Sequence, residues 1–308
     1  ALCSEAKARV VYICRTTSSL PFGPASSFPS SSRTELMRQV CGFISNTKFG
    51  CRYMLEFGDL RAVDIPLPVM TMGKPPFPDF GNFAGEFITI VNPCQIKGIS
   101  IFLELARRRP ELNFMAVPTW GTTDEDLEAL RGLANITIVP AVDDIDEIFS
   151  RTRVLLVPSL WAEMFGRITL EALLRGIPVM ASDVGGLGEA LLGLDYLLPV
   201  REIEGYEEYF DSQFNPVPRV PEQDVEPWLG ALDKLTSDPE HYRHLSQQSR
   251  ATALAHLARN QGVEPVENFL ANLSPKGLQQ GEKAVVCVQD QIWARIHSLS
   301  PGRRALLL

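Results

Sequence analysis

No apolar run in the 308-residue sequence approaches the ~20 residues of a membrane-crossing helix, and no basic segment leads an apolar one at its start. Positive charge is not in excess. The formal net charge is -8, and Lys and Arg are scattered apart from Arg107, Arg108 and Arg109, which reads as the solvated end of a helix, so a nucleic-acid surface is disfavoured. The six cysteines, at 3, 14, 41, 51, 94 and 287, form no Cys-x-x-Cys pair and have no histidine at metal-ligand spacing. They read as reduced thiols of a cytoplasmic protein. No metal is expected. His241, His244 and His256 read as solvated helix positions, and the run Asp143, Asp144, Asp146, Glu147 lacks the glycine and terminal glutamate of a calcium loop. There is no initiator Met, which reads as a cut from a longer polypeptide.

What is present is alternation. At 45% apolar residues the chain can bury real cores. Short apolar runs closed by Pro or Gly alternate with amphipathic stretches from residue 87 onward, which is how a parallel sheet with helical crossovers reads. Strands are expected at 87–91, 113–117, 136–139, 154–157, 178–181 and 196–199, with helices at 98–109, 124–133, 143–150 and 168–175 between them. This predicts an α/β fold with a doubly wound, Rossmann-like sheet. Ahead of it, strands at 8–14, 41–45 and 62–67 with helices at 33–40 and 48–57 make too few units for a second complete domain. The helix at 48–57 is expected to be ended by Gly58. The Pro- and Gly-rich segment 68–85 has linker composition, and 201–222 reads as loop. The expected division is 1–80 as a partial α/β region, 81–260 as the Rossmann-like domain, and 261–308 as a helical tail or linker.

Ligands bind such sheets beyond the carboxyl ends of the strands, so the loops there carry the chemistry. NPCQIKG at 92–98 joins a strand to a helix start, and its amides with the Lys97 ammonium suit a phosphate or diphosphate. It is not a GxGxxG loop, which disfavours a dinucleotide. EMFGRITLE places Glu163 in the loop after a central strand and Glu171 in the next helix. Glu171 is flanked by Leu170, Ala172 and Leu173, so its carboxylate needs a partner. The glycines of SDVGGLGE at 182–189 either approach a ligand or simply turn the chain. Ser159 in SLWAE lacks the flanking glycines of a nucleophile elbow. Trp120 reads as a packing or interface residue, with stacking on a nucleobase the rarer use.

The ordered set NP...KG, PS...E.FG...LEA...G.PV.AS..GG..E over about residues 85 to 200 resembles the donor domain of retaining group-1 glycosyltransferases, which have two Rossmann-like domains in the glycogen-synthase-like (GT-B) manner. The resemblance implies transfer of a sugar from a nucleotide-diphosphate-sugar to an acceptor hydroxyl with retention, without cofactor or metal. It implies that Glu163 and Lys97 carry catalysis, Glu163 contacting the donor sugar beside Met164, Phe165 and Gly166, and Lys97 the diphosphate near Asn92 and Gly98. Glu171 would hold the ribose, the amides of Ile168, Thr169 and Leu170 the phosphates, and Val142 would fall near the nucleobase. Two positions depart from the family. Asn92 stands where the family usually has Arg, which makes Arg167 a candidate second cation. The region before 80 resembles only the last strands and helices of an acceptor domain, so that half is either missing from the chain or greatly reduced, and the acceptor is left unnamed. The closing LSPGRRALLL resembles the lead-in to modules of nonribosomal peptide synthetases, which implies neighbouring domains of a larger biosynthetic polypeptide. The alternative is an inactive nucleotide-sugar-binding or interaction module.

Overall fold

The computed structural model describes residues 9–66, 75–211, 215–260 and 262–273. Two parallel sheets organise them. The first has strands β1 (Val11–Cys14), β2 (Gly42–Ser45) and β3 (Ala62–Asp64) in that spatial order. Helices α1 (Ser31–Arg38) and α2 (Lys48–Gly58) connect them. Thr47 caps α2 by accepting from the Gly50 amide at 3.0 Å. Gly58 is the last helical residue and not the stop: Asp59 takes the left-handed turn at φ 53°. Gly58 is there for space, since a Cβ would meet the Phe22 ring at 2.6 Å.

The second sheet contains β4 (Phe87–Val91), β5 (Phe114–Val117), β6 (Ile136–Ile138), β7 (Thr152–Val157), β8 (Val179–Ser182) and β9 (Leu197–Leu198), all parallel, in the order β6-β5-β4-β7-β8-β9. Its crossovers are α3 (Ile99–Arg108), α4 (Asp124–Arg131), α5 (Asp146–Phe149), α6 (Arg167–Leu174) and α7 (Leu187–Ala190). Side chains alternate across each strand, and here both sets are buried. Ile88, Ile90, Val154 and Leu156 pack with Ile101, Phe102 and Leu105 of α3. Leu155, Val157, Val179 and Ala181 pack with Leu170, Leu173 and Leu174 of α6. The first core is completed by α8 (Glu226–Ser237) and α9 (Pro239–Arg259), through Trp228, Leu232 and Tyr242.

Three expectations need correction. Residues 75–85 are not a loose linker: Phe77, Phe80 and Phe83 pack on the second domain, and Arg250 donates to the carbonyls of Phe77 and Pro78 at 2.7 and 2.8 Å. Aromatics set between the prolines anchor what composition alone reads as flexible. Within 201–222 the chain forms an antiparallel hairpin of β10 (Tyr206–Phe210) and β11 (Pro216–Pro218), with Phe210 stacked on Phe28 of the first domain at 5.9 Å. His241 is not simply solvated, because its Nε2 bonds the Tyr196 hydroxyl at 2.6 Å.

In the C-terminal part, α10 (Glu264–Ala271) lies against the first sheet, where a Cβ on Gly42 would meet Phe269 and Leu273 at 2.6 Å. The segments 284–290 and LSPGRRALLL lie outside the described residues. Cys14, Cys41, Cys51 and Cys94 are free thiols, and burial pushes Cys14 up to about 12 and Cys94 up to about 11. Neither is a thiolate near neutral pH. Among the described residues no helix is long and apolar enough to cross a membrane, and no group of three or more His, Cys, Asp or Glu is placed to hold a metal ion.

Candidate active site

The carboxyl ends of both sheets open on one cavity of about 740 Å³. Arg15 follows β1, Asn46 and Lys48 follow β2, and Asp64 ends β3; opposite them lie Asn92 after β4, Thr119 and Trp120 after β5, and Pro158, Ser159 and Glu163 after β7.

The loops after β4 and β7 are in contact because of one residue. Gly98 sits at φ 74° between a 3-10 turn, Gln95–Lys97, and α3, and a Cβ there would lie 1.9 Å from the Pro158 carbonyl oxygen. Only glycine allows both that conformation and that approach. The Leu160 amide also donates to the Ile96 carbonyl at 2.9 Å. With the loops joined, the Lys97 ammonium pairs with Glu163 Oε1, and the Ser159 hydroxyl donates to the same oxygen at 2.9 Å. Lys97 also lies 4.9 Å from the centre of the Trp161 ring, a cation-π distance. Glu163 as a whole residue is 8% exposed, so its carboxylate is met by these partners rather than by water.

The Glu163 loop is held from behind as well. Ala162 and Met164 belong to the core of the first domain, with Phe43, Tyr53 and Met54. The Thr17 hydroxyl donates to the Ala162 carbonyl at 2.7 Å. Gly186 donates its amide to the Glu163 carbonyl at 2.7 Å, and a Cβ on Gly185 would lie 2.3 Å from that oxygen. The Gly-Gly turn therefore approaches the Glu163 backbone, and neither glycine lines the cavity.

Of the residues expected from sequence, Asn92, Lys97, Glu163, Met164, Phe165, Gly166, Arg167, Ile168 and Leu170 line the cavity. Gly166, at φ 73°, starts α6, whose first amides have no acceptor within the helix. Gly98 acts behind the lining as the loop junction. Thr169 is fully buried, with its hydroxyl unpartnered. Glu171, 9% exposed, finds its partner in Arg167 one turn earlier, Nη2 to Oε1 at 3.4 Å. Val142 is not brought to the cavity and packs beside Phe87, Met115 and Val117. Trp120, expected to pack, is 67% exposed on the cavity instead. Glu189, the last residue of the Gly-Gly motif, lines it too, as do Arg15, Asn46, Lys48, Asp64 and His256, to which no motif pointed. Glu189 accepts from the Lys48 and Phe49 amides at 2.9 and 2.7 Å, which closes the start of α2 across the domain junction.

Burial is the larger influence on the Glu171 carboxyl and holds it above its ordinary range, while Arg167 pulls the other way. A carboxyl raised on folding favours the folded state at low pH, and that contribution is lost as pH rises from the unfolded value through the folded one. Glu171→Gln is therefore expected to melt at or above the wild-type temperature at pH 7. The gap should close below about pH 4, where both side chains are neutral. A lower melting point for the variant at pH 7, in thermal scans across pH, would show that the ion pair outweighs the burial.

Parallel sheets with a cation, a buried carboxylate and a helix start at their carboxyl ends define an α/β protein with a polar cleft whose chemistry suits a phosphorylated ligand. Residues 87–209 match the sequence model of the family described as glycosyl transferases group 1. The similarity to that family is carried by this segment, and the fold is of the GT-B type. It is 30% identical over 185 residues to the D-inositol 3-phosphate glycosyltransferase of Rhodococcus erythropolis, covering 56% of this chain and 37% of that protein. The chain thus spans little more than a third of that relative's length. Among solved structures it is similar to Anabaena HepE in complex with UDP and glucose, with TM-score 0.63 and 16% identity over 88% of this chain and 73% of that one. It is also similar to sucrose-phosphate synthase from Thermosynechococcus elongatus, with TM-score 0.61 and 17% identity over 86% and 69%. At such identities these two likenesses speak for the fold alone.

Proposed function

We propose that the chain contains the donor-binding part of a retaining glycosyltransferase, with the first sheet on its acceptor side. The observation that carries this reading is the meeting of Lys97 and Glu163 on the cavity floor, from loops after neighbouring strands. Without ligand the two neutralise each other. A nucleotide-diphosphate-sugar separates their tasks: its diphosphate takes the ammonium and the amides at the start of α6, and the sugar hydroxyls donate to the freed carboxylate. The bond from the anomeric carbon to the diphosphate oxygen then breaks, the acceptor oxygen bonds that carbon, and the acceptor proton leaves with the diphosphate. Charge builds on the departing oxygen, where Lys97 already stands. Glu163 orients the sugar without becoming a nucleophile. Arg167, on the cavity wall, is the second cation within reach of the phosphates, and Glu171 serves the ribose when Arg167 turns away.

Because HepE was solved with UDP, UDP-sugars lead the screen, followed by GDP-, ADP- and TDP-sugars. A ligand that binds only the folded state raises its melting point. Glu163→Gln is expected to retain that shift and to lower turnover by about a hundredfold with every acceptor, because it removes orientation at the reacting sugar. Loss confined to one acceptor would contradict this role, and an unweakened UDP complex of Glu171→Gln in calorimetry would remove Glu171 from the ribose. A setting in natural-product biosynthesis rests on the closing ten residues alone.

The second reading is a module that binds donor without transferring its sugar. Asn92 favours it, since the diphosphate is then met by one loop cation rather than two. Stoichiometric nucleotide binding with no release of sugar to acceptor or water would establish that reading.

A further inference from the structure

Trp120 is 67% exposed on the cavity wall, and it is not there by slack. Its loop is a tight turn, with Thr122 donating its amide to the Thr119 carbonyl at 3.2 Å. The next residue, Gly121, donates its amide to Asn92 Oδ1 at 2.9 Å. Gly121 has no room for a side chain, because a Cβ would meet Cys94 Sγ at 2.9 Å and Asn92 Oδ1 at 3.1 Å. The loop is therefore seated on Asn92 with the indole held toward the cavity.

Asn92 is suited to that task. It is 5% exposed and sits at φ 61°, a left-handed conformation that Asn tolerates better than most residues. Its amide oxygen is used on Gly121, while its Nδ2 is buried without a partner in a residue that lines the cavity. A buried donor left unpaired is costly, and an acceptor atom on a ligand satisfies it.

The order of strands orients these groups. Glu163 follows β7, Lys97 and Asn92 follow β4, and Trp120 follows β5, with β4 between the other two. Neighbouring strands lie about 4.8 Å apart, so the aromatic face and the sugar-orienting carboxylate stand about two strand spacings apart with the cation between them. That is the order of base, diphosphate and sugar in an extended donor. We infer that Trp120 stacks on the nucleobase of the donor, and that Asn92 holds the Trp120 loop and donates Nδ2 to the phosphate side of the same ligand. The inference rests on the donor reading above. It moves the base contact from Val142, which is packed away, to the loop after β5.

The test is calorimetry of the full chain with UDP, GDP, ADP and TDP, and separately with inorganic pyrophosphate, which has no base. For the tightest nucleotide, Trp120→Ala is expected to weaken binding by about tenfold or more and Trp120→Phe by only about threefold, as base-aromatic stacking implies. Pyrophosphate should bind the Trp120 variants and the wild type alike. Asn92→Gly keeps the positive φ, removes the amide, and should weaken the nucleotide at least as much as Trp120→Ala and, unlike the Trp120 variants, weaken pyrophosphate as well. In the wild type, acrylamide quenching of indole fluorescence should drop on nucleotide addition and stay unchanged in Trp120→Ala. Unchanged nucleotide affinity in Trp120→Ala overturns the stacking while leaving the donor reading intact, and so does an equal loss for nucleotide and pyrophosphate. A wild-type chain that binds none of the four nucleotides overturns both.

Discussion

Lys97→Ala is expected to reduce sugar transfer by about a thousandfold, the upper end of what removing one preorganised charge-stabilising group costs. The upper end applies because Asn92 supplies no charge and Arg167 must first leave Glu171 to share that of the diphosphate. The same substitution has a structural consequence that must be separated from the chemical one. It leaves the Glu163 carboxylate, with a side chain only 10% exposed, facing the Ser159 hydroxyl and no positive charge. Breaking a buried pair by removing one partner costs about 3 kcal/mol, whereas replacing both partners by neutral groups of similar size is often neutral. Lys97→Met combined with Glu163→Gln should therefore recover most of the lost melting temperature and none of the activity. Thermal scans and sugar release from the donor, measured on the single and double variants, check this. Recovery of transfer in the double variant would remove Lys97 from the chemistry.

Gly185→Ala should be strongly damaging to the loop that carries Glu163. The residue sits at φ 57°, and a Cβ would meet the Glu163 carbonyl oxygen at 2.3 Å, the Glu163 nitrogen at 2.7 Å and the Ala162 carbonyl carbon at 2.9 Å. All three are backbone atoms of the loop that carries the carboxylate, so no rotamer change relieves the overlap. A loss above about 3 kcal/mol is expected, together with displacement of Glu163 and loss of turnover. Gly230→Ala is the control. It lies exposed inside α8, with nothing within 4 Å of its added Cβ, and should stabilise by about 0.5–1 kcal/mol through helix propensity alone. Denaturant melts of the two variants should move in opposite directions. A wild-type midpoint for Gly185→Ala would mean that the turn yields without disturbing the loop.

Part of the site was readable before any folding because it depends on near neighbours in the chain. A strand such as Val154 to Val157 declares itself by four apolar residues closed by proline, and a helix such as Arg167–Leu174 by its spacing. Once strand, loop and helix alternate in parallel, the ligand side follows, so Lys97 and Glu163 could be named from their loops. The hairpin at 206–218 was less readable, since prolines at one edge masked a short alternating strand.

Sequence alone determined the parallel second sheet, the loops that face its ligand edge and the carriers of charge on them, because each follows from local periodicity and turn chemistry. Tertiary structure decided which of those groups meet. Lys97 and Glu163 are 66 residues apart and pair because Gly98 lets one loop touch Pro158 of the other. Trp120 faces the cavity rather than a core because Asn92 holds the loop beside it. Val142 faces a core for the opposite reason, packing beside Phe87 and Val117. The first sheet's contributions, Arg15, Asn46, Lys48 and Asp64, join the cavity because Ala162 and Met164, from the loop after β7, pack into the core of that sheet. Such meetings depend on packing between distant segments, which no local pattern in the chain encodes.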